Sequence, residues 1–317
     1  YTGTEASLAL IHRLVSGYGS DPAITTLVDT KTFYICPIIN PDGHFNSLEK
    51  GISQRANSAL TDDDGDGKVN EDGPDDLDGD GVIAQFRYKD PKGQFVMDEA
   101  DSRLMVRLGP NEHTAKPRYS VITEDKDNDG DKKRGEDPEA GIDINRNYDF
   151  NWAHGGSDEP NSGRYRGPMP FSEPEPRALA TFAQQKRFVL SITYHSQGEV
   201  IFYPWNWGGR KAPDDALLTE MARGLAGSIP TMRGDTSYKA EYGAGTVGQS
   251  YPWLYGRLGT FDFIVETGRG ASIFPPHEVE GIVKANLRGI HYMLRRAEGP
   301  GLAVQVTDAK SGSPLEA

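Results

Sequence analysis

The sequence predicts an α/β fold, with a mixed, mainly parallel twisted sheet covered by helices on both faces, an acidic loop insertion, and the start of a β-sandwich at the C-terminus. Three observations predict it. Short runs rich in β-branched and aromatic residues alternate with amphipathic helical stretches, the order that builds a covered parallel sheet. Those runs are apolar nearly throughout, as strands buried on both faces must be. Between Thr61 and Asp143 the periodicity stops, and Asp and Glu crowd together instead.

Taken in order, Thr4 to Ser16 places Ala6, Ala9, Leu10 and Leu14 at helical spacing, and Gly17 and Gly19 end the helix. Lys31 to Asn40 reads as a strand covered on both faces, closed by the turn Asn40-Pro41-Asp42-Gly43. Within it, Cys36 reads as a small buried hydrophobe, and as the single cysteine it excludes an internal disulfide. The stretch from Thr61 to Asp143 reads as polar loops with short strands over Gly81 to Arg87 and Arg118 to Glu124. A helix follows, capped by Ser172, with Pro174 and Pro176 in its first turn and Ala178, Leu179 and Phe182 on its buried face. Phe188 to Tyr194 is a strand, Asp214 to Ser228 a helix, Thr260 to Glu266 a buried strand, and His277 to Arg296 a closing amphipathic helix. Leu302 to Thr307 alternates like a strand, with a turn from Asp308 to Pro314. A disordered tail is the alternative there. The expected division is therefore a domain over 1–298 carrying an insertion at 61–141, then a linker and first strand over 299–317.

Charge narrows the partners. Acidic residues number 47 against 34 basic ones, a formal net charge of -13, so nucleic acid and anionic membrane surfaces are repelled. No apolar stretch is long enough to span a bilayer. The acidic excess is local, and its grammar is specific: Asp62-x-Asp64-x-Asp66-Gly67, Asp76-x-Asp78-x-Asp80-Gly81 and Asp125-x-Asp127-x-Asp129-Gly130. Carboxylates at every second position before a glycine aim oxygens around a hard cation, as in an EF-hand loop, and Glu136 stands where that loop has its bidentate carboxylate. Calcium is the expected ion, and calcium sites of this kind point to a secreted or periplasmic protein.

Polar groups without a packing purpose sit at the predicted strand ends: Asn40-Pro41-Asp42-Gly43, then Arg55 fifteen residues after Asn40, Asp143-Ile144-Asn145-Arg146-Asn147, His195-Ser196 and Glu266. In this order and spacing the chain resembles the M14 zinc carboxypeptidases, the carboxypeptidase A and B type, from Tyr1 to about Arg296. The resemblance implies a zinc-dependent exopeptidase acting on the C-termini of peptides and proteins, with a monomer as the expected state. It implies His195 as one zinc ligand, with the His-x-x-Glu pair that supplies the other two outside these residues. By the same resemblance Glu266 is the general base, Arg55 faces the developing oxyanion, and Asn145 and Arg146 grip the terminal carboxylate. Tyr242 corresponds to the family's mobile tyrosine, with Tyr238 the other choice, and Tyr251 falls at the floor of the side-chain pocket. Neither Tyr251 nor Pro252 is acidic, so apolar or aromatic terminal residues are the expected substrates. Two other functions stay open: cleavage of cell-wall peptides, and, should the upstream zinc ligands be absent, a catalytically dead, calcium-stabilised module that binds C-terminal peptides.

Overall fold

The structure is a computed structural model. It describes residues 1–49, 54–60, 69, 75–80, 84–99, 101–108, 114–127, 130, 132, 141–160, 162–205, 207–243, 247–270, 273–297, 308, 310–311 and 313. The chain divides into two units, one of Tyr1–Gln54, Ile144–Gly156 and Met169–Ala317, the other of Arg55–Asp143 and Ser157–Pro168.

In the first unit, helix α1 spans Thr2–Gly17 and α2 spans Pro22–Thr30. The carboxylate of Asp21 accepts from the Ala23 and Ile24 amides and so satisfies two of the donors a helix start leaves open. Ile24 and Leu27 of α2 pack on Leu14 of α1. The Asn40-Pro41-Asp42-Gly43 sequence does more than turn. Asn40 Oδ1 accepts from the Gly43 amide at 2.9 Å, Pro41 brings a preset φ, and together they start helix α3 at Pro41–Glu49.

The expected strand over Lys31 to Asn40 is extended but belongs to no ladder among the described residues. Its residues alternate instead of being covered twice: Phe33 and Ile35 pack on the α1–α2 cluster, whereas Tyr34, Cys36 and Ile38 face outward. Cys36 is consequently exposed, not buried.

The second unit holds β1 (Gln85–Lys89), β2 (Phe95–Met97), β3 (Met105–Arg107) and β4 (Tyr119–Thr123), joined antiparallel in the order β1-β4-β2-β3. Two of these match the short strands expected in a loop region; the other two make a true sheet of it.

The first unit continues with α4 (Pro174–Lys186), β5 (Leu190–His195), β6 (Val200–Tyr203), α5 (Asp215–Ser228), β7 (Lys239–Tyr242), α6 (Ser250–Leu258), β8 (Phe261–Glu266) and α7 (Pro276–Arg296). Helix α4 turns differently from expectation. Glu173 is its N-cap residue, and the Ser172 hydroxyl donates to the Glu173 carboxylate rather than capping the helix. Ala180 and Ala183 are its buried face, against Trp253 and Leu254 of α6, while Ala178 and Phe182 lie exposed. Small residues let the two helices approach, and that rotates the larger Phe182 outward, edge-on to Tyr34 at 5.1 Å.

The sheet order is β5-β8-β6-β7. β5 runs parallel to β8 and β6 parallel to β7, and β6 and β8 are antiparallel. Side chains alternate across a strand, so the two faces differ in kind. One carries Leu190, Ile192, Tyr194, Ile201, Tyr203, Phe263 and Val265, packed with Leu218, Leu225 and Met293 of α5 and α7. The other carries Ser191, Thr193 and His195 of β5 in register with Asp262, Ile264 and Glu266 of β8. Its polar end is where chemistry can occur. The Leu302 to Thr307 strand lies outside the described residues, and no helix among those described is long and apolar enough to cross a membrane.

Candidate active site

His195 and Glu266 are the last residues of adjacent parallel strands and are paired across them. The turn beyond is fixed by the backbone: Thr267 donates to the His195 carbonyl through both its amide (2.8 Å) and its hydroxyl (3.0 Å). Gly198 lies over the Glu266 side chain, and a Cβ there would come within 3.1 Å of Glu266 Cβ, so only a small residue fits without displacement.

From the segment after residue 143, Asn145 reaches the same place. Its Oδ1 accepts from the Ser250 amide at 3.1 Å, which turns its Nδ2 toward His195 Nε2 at 3.3 Å. Asn145 thus turns a donor toward the imidazole, and a neutral imidazole is the form in which histidine binds a metal. The donor set is nonetheless partial. Among the described residues the group of three or more metal-ligating side chains is Asp76, Asp78 and Glu124, in the other unit, so His195 by itself offers one ligand of the three a catalytic zinc site uses.

Arg146 is buried, with Nη1 donating to the Asn145 carbonyl at 2.7 Å. Gly248, at φ +75°, crosses so close to the Arg146 carbonyl that a Cβ would lie 2.7 Å from it. Asn147 is fully buried and holds the segment to α4: its Nδ2 donates to the Met169 carbonyl and the Ser172 hydroxyl, and its Oδ1 accepts from the Glu173 amide. Sequence reading gave Asn147 no role, because its partners lie 22 to 26 residues further along the chain and meet it only in the fold.

Tyr251 of α6 is buried beside this group. Burial raises its hydroxyl pKa, and the Arg146 charge lowers it while the Asp262 charge raises it. Gly243 stands against the hydroxyl, leaving no room for a Cβ. Tyr242 is turned elsewhere: its hydroxyl donates to Asp215 at 2.5 Å, its ring lies 4.7 Å from that of Tyr203, and Lys211 sits over it. Tyr238 is buried, its hydroxyl accepting from the Gly268 amide at 3.0 Å. Both tyrosines considered for closing over a substrate are thus engaged. The structure therefore brings together His195, Glu266, Asn145, Arg146 and Tyr251, and directs the Tyr242 side chain to Asp215.

In the second unit Arg55 donates from Nε to Asp143 at 2.7 Å, half-exposed against a buried carboxylate. Carboxylate oxygens of Asp76, Asp78 and Glu124 lie within 4.8 Å of one another. Glu124 is buried and accepts from the Leu77 and Ala84 amides, a position that only the fold reveals. Asp76 accepts from the Gly79 and Asp80 amides, Asp78 from that of Asp80, and Asp127 from those of Gly130 and Lys132. Asp125 lies in an isolated bridge next to Glu124. Asp62, Asp64, Asp66, Asp129 and Glu136 lie outside the described residues.

A family model described as zinc carboxypeptidase matches residues 1–75 and 112–289. Carboxypeptidase A4 of Mus musculus is 29% identical over 210 residues, covering 62% of this chain and 48% of that relative. Carboxypeptidase B of Homo sapiens is 29% identical over 163 residues, 48% of this chain and 39% of the relative. The chain thus spans less than half the length of these two proteins. Among solved structures, thrombin activatable fibrinolysis inhibitor matches with a TM-score of 0.62 at 19% identity, over 93% of this chain and 58% of that one. Carboxypeptidase A from Helicoverpa armigera matches at 0.57 and 17% identity, over 94% and 59%. At such identities the likeness is one of fold.

Proposed function

Since the chain belongs to the zinc carboxypeptidase family, we propose that it acts as a zinc-dependent exopeptidase that hydrolyses the C-terminal bond of peptides and proteins. The observation that carries this reading is the pairing of His195 with Glu266 at one strand end, with Asn145 on the imidazole and Arg146 beside it. His195 would hold the metal as one of the three protein ligands a catalytic zinc site uses. Zinc, when bound, supplies a Lewis acid that polarises the scissile carbonyl and makes a water molecule acidic.

The chain's own residues do the rest. Glu266, at the end of an otherwise apolar strand, accepts a proton from the attacking water and returns it to the departing amine. Arg146 offers a planar guanidinium that grips a terminal carboxylate by two parallel hydrogen bonds, which is what distinguishes an exopeptidase from an endopeptidase. Its burial strengthens the grip, because a charge-assisted bond is worth more where water is excluded. Asn145 positions the imidazole. Arg55 enters by resemblance alone, as the cation for the developing oxyanion. A closing role for Tyr242 requires that it first release Asp215.

We also propose calcium for the acidic runs. Three carboxylates within 4.8 Å of one another, one of them buried, support it, and on this reading the protein works outside the cytoplasm. The peptidase reading is tested with the full-length protein on hippuryl-type dipeptides. Glu266→Gln is expected to abolish turnover while bound zinc, measured by atomic absorption, is unchanged. Turnover retained in that variant removes the assigned base.

A further inference from the structure

Thr267 follows Glu266 directly in the chain and bonds to the residue paired with it across the strands. Its amide donates to the His195 carbonyl at 2.8 Å, a bond that any residue other than proline can make at this place in a parallel ladder. Its hydroxyl donates to the same oxygen at 3.0 Å, and that bond belongs to this side chain alone. A carbonyl oxygen has two lone pairs, so one residue supplies a donor for each. The peptide unit that closes β5 cannot turn without breaking both.

The relay extends one residue further. The Thr267 hydroxyl has a single proton and gives it to the carbonyl, which cannot donate, so Thr2, in the first turn of α1, is the donor to Thr267 Oγ1. Thr2 and Thr267 are buried, at 2% and 0% exposure, and water does not compete for either hydroxyl. Hydroxyls chained in a dry place polarise one another, which strengthens each bond. Branching at Cβ restricts the Thr267 side chain as well, by narrowing its choice of χ1. The residue beyond is anchored independently: the Gly268 amide donates to the Tyr238 hydroxyl at 3.0 Å, and its carbonyl accepts from the Gly198 amide at 2.8 Å. Loss of the Thr267 hydroxyl therefore leaves the turn itself in place.

We propose that Thr267, backed by Thr2, is a positioning residue that ties the metal-binding imidazole of His195 to the carboxylate of Glu266 and keeps the two at one separation. This rests on the peptidase reading given above. His195 rides on β5 and Glu266 on β8, and they form the last pair of the ladder between those strands. The ends of ladders open most easily, because no further pair holds them shut. Thr267 closes this end by a covalent link to one member of the pair and a side-chain bond to the other. Being fully buried, it touches neither substrate nor metal and acts only through its two neighbours. Fixing their separation matters because a displacement of about 1 Å costs about a hundredfold in rate.

The experiment compares Thr267→Val, which removes the hydroxyl but keeps the branching and the amide bond, with Thr267→Ser, which keeps the hydroxyl and removes the methyl. In the full-length protein, zinc affinity is measured by competition with a chelator, and kcat and KM are measured on a hippuryl dipeptide at saturating zinc. Thr267→Val is expected to lose about ten- to a hundredfold in zinc affinity and in kcat, with KM changed about twofold at most. Thr267→Ser is expected to stay within about threefold of the parent in all three, and Thr2→Val to fall between, since it removes the support but not the bond itself. A role filled by bulk alone would spare Thr267→Val and injure Thr267→Ser. That pattern, equal losses in the two, or an unimpaired Thr267→Val overturns the proposal. If Thr267→Val does not fold, Thr2→Val is set against Thr2→Ser, and equal behaviour of that pair overturns it. A parent that binds zinc and cleaves none of the peptides sinks the peptidase reading instead, while the zinc affinities of the variants still decide whether Thr267 holds His195.

Discussion

The fully buried carboxyl of Asp262 makes the strongest demand on stability. Burial is the largest influence on it and pushes its pKa up from an ordinary 3.8 to about 6; hydrogen bonds from Ser191, Thr193 and the Phe263 amide pull the other way and do not cancel it. A folded-state pKa above the unfolded one means that the folded protein holds the proton more tightly. The resulting stabilisation is complete below pH 4 and is lost as pH rises through 6. A difference of about 2 units at 1.36 kcal/mol each sets the loss at about 3 kcal/mol, a large share of a domain's net stability. Asp262→Asn keeps the shape and removes the titration. Urea unfolding of parent and variant at half-unit steps from pH 4 to pH 8 is expected to show the variant gaining on the parent by about 2–3 kcal/mol across that range, most steeply between about 4 and 6. A stability difference that does not change with pH would refute the reasoning, because it would mean that this carboxyl titrates alike in both states.

Arg146→Ala is expected to weaken peptides with a free terminal carboxylate by tenfold or more in kcat/KM while amidated peptides change little; equal losses for the two would remove the clamp. Asn147→Ala leaves the Met169 carbonyl and the Glu173 amide without their buried partner, and at about 1–3 kcal/mol for each unpaired group it should cost about 2–6 kcal/mol in denaturant melts. Calcium is expected to raise Tm and chelation to lower it, with Glu124→Gln blunting both responses; a parent protein indifferent to chelator would discard the cation reading.

What could be read from the sequence was whatever one segment decides for itself. Helices α1, α5 and α7 announce themselves through their own 3.6-residue period, and β8 through a mainly apolar run between Gly259 and Gly268. The Lys31 to Asn40 run passed the same test and yet joins no ladder among the described residues, because extended conformation is local whereas a ladder needs a partner from elsewhere. Cys36 and Phe182 failed for a related reason. Which face of an extended or helical segment is covered depends on the neighbour, and Ala180 and Ala183, by allowing close approach of α6, chose a face that hydrophobicity alone would have given to Phe182. Glu124 stayed hidden because it lies 48 residues after Asp76 and 46 after Asp78; it joins them only when β4 comes back beside them.

The same distinction explains why Asp262 was invisible while Glu266 was legible. Both interrupt one apolar strand, and a polar residue at a strand's C-terminal end has an obvious outlet, since ligand sites gather there in open α/β sheets. One near its start reads as a defect or an ion pair. Only the register with β5 shows otherwise, by setting Ser191, Thr193 and His195 opposite Asp262, Ile264 and Glu266 while every residue between them faces the apolar core of α5 and α7. Polarity at alternate positions of two neighbouring strands cannot be read from either strand alone; across them Ser191, Thr193 and Asp262 form one hydrogen-bonded group, separated from Glu266 by the buried Ile264.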